Sequence, residues 1–326
     1  MATSETQVDN NISTSDTEDG DEVETRVGLR YTLAQVKRDP TARIGMYIIT
    51  FITAVAVFAS IDYYILDYSF AERFLYHPER DPVMTERLLP PLGMENQYGQ
   101  GQTAHPLGTD HRGRDILTRL IYGTRIAITV GFMATVIGLV GGSLIGAVSG
   151  YYGGWIDDVL QRVTETIYAI PFLVLVIAFM SAFGRNLTFA MIGVGITAIP
   201  VFNRLIRSRV VSIREEEYIK AAKAAGVKDR NIILRHVIPN SFAPVLVQAT
   251  LQIGFSILVI AGLSFLGFGA QPPTPSWGQM LAESRQYMLP APTFSIWPGL
   301  AILITVIGFN ILGDGLQDAL DPRIQN

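Results

Sequence analysis

Residues 126–149 read IAITVGFMATVIGLVGGSLIGAVS, a run without one charged side chain. A bilayer core about 30 Å thick takes roughly 20 helical residues, so this stretch is long enough to cross a membrane as a helix. Five further apolar runs lie around it, at 44–66, 166–183, 187–203, 243–266 and 294–313. The run 187–203 is short, and Pro200 is expected to break it near its end. A β-barrel would instead show short segments of alternating polarity. The reading is therefore an all-α, polytopic membrane protein with six transmembrane helices.

Composition agrees. Of 326 residues, 49% are hydrophobic and only 17% charged, and mean hydropathy is +0.30, whereas a soluble domain runs near a quarter charged. The absence of cysteine excludes disulfides, thiolate metal sites and cysteine nucleophiles. A net charge of −4 with four histidines argues against a nucleic-acid partner and leaves membrane lipid as the surrounding medium. Residues 1–26 carry eight acids against one base, with much Ser, Thr and Asn. That composition predicts a disordered acidic tail, and it lacks the basic and apolar regions of a signal peptide. Residues 27–43 then form a cytoplasmic segment before the membrane domain at 44–326.

Lys and Arg concentrate on the cytoplasmic side of membrane proteins. With the N-terminus inside, inner segments hold 16 of the 25 basic residues, nine of them between the fourth and fifth runs. Both termini are then cytoplasmic in a cell-membrane protein, and residues 67–125 form a long outer loop. Trp155, Trp277 and Trp297 fall near span ends, where amphipathic rings prefer to sit. The interiors of the second to sixth runs hold no acid and no lysine. Ion-driven carriers need intramembrane ionisable groups, so any transport here draws its energy from elsewhere. Gly138, Gly142, Gly146 and Gly150 recur every four residues and make a smooth helix face, a packing seam for a partner or neighbouring helix.

The inner segment 204–242 is more than a connector. Glu215-Glu216-Glu217-Tyr218-Ile219-Lys220-Ala221-Ala222-Lys223-Ala224-Ala225-Gly226 places acids first and lysines later, matching the helix dipole. Gly226 suits the left-handed position that stops a helix. A second short helix is expected from Asp229 as N-cap through Ile238, ended by Pro239. The small residues Ala221, Ala222 and Gly226 offer a face for a close-fitting partner.

This segment resembles the cytoplasmic loop of ABC importer permeases: a Glu-Ala-Ala triplet, a glycine, then an Ile-x-Leu-Pro-like ending. The corresponding residues are Lys220-Ala221-Ala222, Gly226 and Val237-Ile238-Pro239-Asn240. Lys220 replaces the glutamate, and Glu217 stands one turn earlier. Three more stretches are similar to the second permease subunit of dipeptide/oligopeptide/nickel importers: 105–115 (HPLGTDHRGRD), 265–278 (FLGFGAQPPTPSWG) and 310–322 (NILGDGLQDALDP). The resemblance covers about 27–326. It implies a type I ABC importer permease architecture, with Glu217, Lys220, Ala221, Ala222, Gly226 and Pro239 in the helix that couples to an ATPase. It also implies a second permease subunit, two cytoplasmic ATPase subunits and an extracellular solute-binding protein as partners. No catalytic residue, metal or cofactor belongs to the chain in this reading, and no Gly-x4-Gly-Lys-Ser/Thr loop occurs in it.

Other readings of individual residues compete. His105, Asp110, His111 and Asp115 could ligate a metal, but ligands must converge, and the spacing fits a turn and helix start better, with Asp110 as cap. Gln271 to Gly278, with three prolines, reads as a rigid outer loop. Gly313-Asp314-Gly315 reads as the end of the last span. Ser149, between glycines, raises an intramembrane serine hydrolase, but His77, His105, His111 and His236 all lie outside the spans. A stand-alone secondary carrier is disfavoured by the uncharged spans.

Overall fold

In the computed structural model, residues 39–79 and 83–320 are described. The acidic tail 1–26, most of the 27–43 segment and the last residues, Arg323 among them, lie outside that range. The first helix, α1 (Pro40–Tyr64), starts where the Asp39 carboxylate accepts the amides of Thr41 and Ala42. A short α2 (Ser69–Phe74) folds back on its outer end, held by Asp62, which accepts from the amides of Phe70 and Ala71 and from the Tyr122 hydroxyl. Residues 83–115 then form an irregular element containing a two-stranded ribbon, β1 (Glu95–Asn96) and β2 (Gly99–Gln100).

The long helix α3 (Ile116–Tyr152) includes the quoted stretch. Its cap is Asp115, whose Oδ2 accepts the Thr118 amide at 2.7 Å. Asp110, expected in that role, instead accepts the amides of Arg112 and Arg114. Gly153 ends α3 at φ +66°, a left-handed value that glycine takes without a Cβ penalty.

The third run is not one helix. Helices α4 (Gly154–Ala169) and α5 (Phe172–Phe183) meet at 91°. Ile170 is extended at ψ 128° before Pro171, because the pyrrolidine ring disfavours the α conformation in the residue before it. The expected single helix over 166–183 is therefore a broken span. The fourth run is corrected in the other direction: α6 (Leu187–Arg214) passes straight through Pro200 and continues eleven residues beyond the expected end at 203. Membrane helices tolerate such a proline where neighbours re-satisfy the freed carbonyl.

Two short helices follow, α7 (Glu217–Ala224) and α8 (Asp229–Ile232). A widened π turn over Ile233–Val237 leads to α9 (Ile238–Asn240) and then α10 (Phe242–Phe265). Lys228, not Asp229, holds the N-cap of α8. Pro239 lies inside α9 and does not stop the run, since a proline in the first turn lacks only an amide that has no helical partner there. After an irregular outer stretch come α11 (Trp277–Ser284), capped by Ser276, and α12 (Thr293–Leu320).

Gly313 and Gly315 do not end α12. A Cβ at Gly313 would lie 2.6 Å from the Leu251 side chain, and one at Gly315 would lie 2.2 Å from the Ala42 Cβ. Both glycines let α12 approach its neighbours closely. Among the described residues, five helices are long and apolar enough to span a membrane, or six if the bent α4–α5 pair counts as one span. Helices α3 and α6 form the central pair, and α12 packs between α1 and α10.

Candidate functional site

The α3–α6 seam fixes everything beneath it. A Cβ at Gly138 would meet the Ala198 Cβ at 2.5 Å, at Gly142 the Ile199 carbonyl oxygen at 2.5 Å, at Gly146 the Asn203 carbonyl oxygen at 2.6 Å, and at Gly150 the Arg207 carbonyl oxygen at 3.0 Å. The groove is thus filled by the chain's own α6. Beside it, a buried polar group ties α4 to both helices. Asn203 donates to Gln161 Oε1 at 2.9 Å and to the Thr164 hydroxyl at 3.2 Å, while Gln161 donates to Ser149 Oγ at 3.0 Å. Ser149 therefore serves in an amide network, with its own hydroxyl turned to the Gly146 carbonyl. Arg207 binds Asp157 through two parallel hydrogen bonds at 2.7 and 2.5 Å, the geometry that makes Arg–carboxylate pairs strong.

At the end of this pair where α6 finishes at Arg214 sits the short helix α7. Its inward anchor is Ile219, fully buried with Ile206, Val210, Ile232 and Val237. Ala222 packs against the same cluster, so the small face expected from the sequence is divided: Ala222 turns to the chain's own core, whereas Ala221 and Gly226 are exposed. Glu217, Lys220 and Pro239 are exposed as well. Lys220 Nζ stands 3.6 Å from Glu215 Oε2. Gly226 has φ +76° with nothing within 4 Å of where a Cβ would stand. Tyr218, Val227, Leu234 and Ile238 of the same segment are exposed as well. An exposed apolar surface rimmed by charge is what a protein partner covers. Tyr151, which sequence reasoning passed over, joins this region to α3; its hydroxyl donates to Asp229 Oδ1 at 2.6 Å.

The four candidate ligands His105, Asp110, His111 and Asp115 do not form a common site. His105 Nδ1 pairs with Asp115 Oδ1 at 3.0 Å, so it braces the α3 cap. Asp110 and His111 lie instead with Glu283 of α11. Arg114 occupies both carboxylates, with Nε 2.6 Å from Asp110 Oδ2 and Nη2 2.9 Å from Glu283 Oε2. The Arg114 guanidinium thus holds lone pairs a cation would need, and the cluster is a buried ion-pair network joining residues 110–114 to α11. Glu283, 169 residues from Arg114, carried no local signal in the sequence. Burial holds the His111 imidazole below its ordinary value, against the opposing pull of Asp110 and Glu283 and with the aid of Arg114 and Arg112.

The family described as the binding-protein-dependent transport system inner membrane component matches residues 142–326. The chain is 41% identical over 297 residues to the dipeptide transport system permease protein DppC of Alkalihalophilus pseudofirmus, covering 91% of this chain and 90% of that one. It is 42% identical over 224 residues to the glutathione transport system permease protein GsiD of Pectobacterium atrosepticum, covering 69% and 74%. A solved structure of the MetNI methionine ABC transporter, in inward-facing conformations, has a chain that superposes with a TM-score of 0.51 at 21% identity, over 63% of this chain and 98% of that one. The fold is that of a type I importer permease. The chain belongs to the binding-protein-dependent transport permeases: it is a multi-pass membrane subunit of an ABC importer. Such a subunit works with an ATPase, a binding protein and a second permease, and hydrolysis lies in separate subunits.

Proposed function

We propose that this chain forms half of the pathway of an importer for peptides or similar small solutes, with a related permease as the other half. Two ATPase subunits serve the pair, and one of them seats on the 215–239 segment at the cytoplasmic face, where both termini also lie. The dipeptide and glutathione relatives support the solute class, since both names specify short peptides. The division of α7 into two faces carries the coupling reading: Ile219 is locked into the core, while Glu217, Lys220, Ala221 and Gly226 face outward.

A force on the outer face therefore passes through Ile219 to Ile206 and Val210 of α6. The glycine seam leaves no slack between α6 and α3, so the two respond as one body. Closure of the ATPases on ATP moves the segment, the bundle turns outward to accept solute from the binding protein, and hydrolysis resets it.

The assembled importer in vesicles, with the binding protein outside and ATP inside, tests this. Dipeptide uptake is expected only when the ATPase subunits are present. Equal uptake in vesicles lacking them would contradict the proposal.

A further inference from the structure

The end of α3 meets the inner segment at one side chain. Tyr151 is only 4% exposed and is held from three directions. Its hydroxyl donates to Asp229 Oδ1 of α8 at 2.6 Å. The Lys223 ammonium of α7 stands 4.6 Å from the centre of its ring, within the range of a cation–π attraction. Its carbonyl, with that of Gly150, accepts from Arg214 Nη1 at the end of α6, at 3.2 and 3.4 Å. The same ring belongs to the cluster containing Ile219 and Ile232. One residue thus touches both short helices and the ends of both central helices. Two residues later the backbone turns at Gly153, and α4 begins.

We propose that Tyr151 is a positioning residue for energy coupling: it ties the α7–α8 pair directly to α3, alongside the route through Ile219 to α6. This rests on the reading of 215–239 as the ATPase seat. The hydroxyl bond is suited to such a role because Asp229 does not need it for solvation. Asp229 is exposed, so its carboxylate takes water when the tyrosine is absent, and the bond serves chiefly to fix the relative position of two elements. A buried phenol, in contrast, needs a partner, and Asp229 is the one it has.

The test uses the intact importer in vesicles with Tyr151→Phe, Asp229→Ala and the double variant. The readout is solute-stimulated ATP hydrolysis relative to basal hydrolysis, together with uptake per ATP. Each single variant is expected to lower the stimulated ratio about fivefold, the scale of one hydrogen bond. The double variant is expected to fall no further, because both remove the same bond. Native ratios in both single variants, or additive losses in the double, would overturn the proposal. Asp229→Ala lies at an exposed position and reports even if Tyr151→Phe assembles poorly. A thiol at Ala221→Cys, added to each variant, separates the two readings by its cross-linking to the ATPase. A retained cross-link with native coupling sinks the tyrosine strut alone. No cross-link in the otherwise native importer sinks the seat itself.

Discussion

Gly226 stands at φ +76° with open space around it, so a larger residue there meets a conformational cost and not a clash within the chain. The left-handed conformation costs an L-residue about 1–2 kcal/mol, and a branched side chain also projects into the surface proposed as the ATPase seat. Gly226→Val is expected to keep membrane insertion and lose most solute uptake; normal uptake in that variant would refute the assigned role. Lys220→Glu, which restores the residue usual in the family, is expected to leave uptake within about twofold, since the exposed pair with Glu215 contributes little. His111 carries a pH dependence with a definite sign. Its folded value lies below the ordinary 6.5, so the unfolded chain takes up the proton first. The stability it contributes is full above that ordinary value and is lost as pH falls toward the depressed one. Thermal unfolding compared at about pH 7.5 and about pH 5.5 should show a smaller acid-side loss in His111→Asn than in the native importer; an identical loss in both would rule this out.

Between α3 and α6, a Cβ at Gly142 would press on backbone at both Ile199 and Asn203. Backbone cannot swing aside as a side chain can. Gly142→Leu is therefore expected to force the helices apart at a cost of at least the usual 1–3 kcal/mol of overpacking, roughly, seen as reduced yield of folded importer. Full yield would contradict the seam. Ile219→Ala, by removing the anchor of α7, should cost about 2–5 kcal/mol locally and uncouple transport, read as uptake per ATP. The elements also show what a sequence does and does not expose. The break at Ile170–Pro171 was signalled, since the residue before a proline is biased to extended backbone. Gly313 and Gly315 were ambiguous in one dimension: a glycine permits either a break or a close approach. The deciding neighbours, Leu251 and Ala42, are distant in the chain. Helical spacing likewise grouped Ala222 with its outward neighbours, whereas the burial of Ile219 turned it inward.

At the scale of the molecule, the apolar runs made the membrane bundle legible, because crossing a bilayer imposes a length and a composition that no other fold requires. The buried ion-pair network was only half legible, since Asp110 and Arg114 lie four residues apart but Glu283 joins them only after α11 is placed. Nor was the occupant of the glycine groove, which any helix could have filled. What remains is three parts: a cap braced by buried charge at one end, a closely packed central helix pair, and a short helix pair at the other end. The absence of cysteine allows a single thiol at Ala221→Cys to test that arrangement most directly. In the assembled importer the thiol is expected to cross-link to the ATPase subunit and to stay hidden from an impermeant reagent applied outside intact cells. Labelling from outside, or an ATPase that never cross-links, would contradict the account.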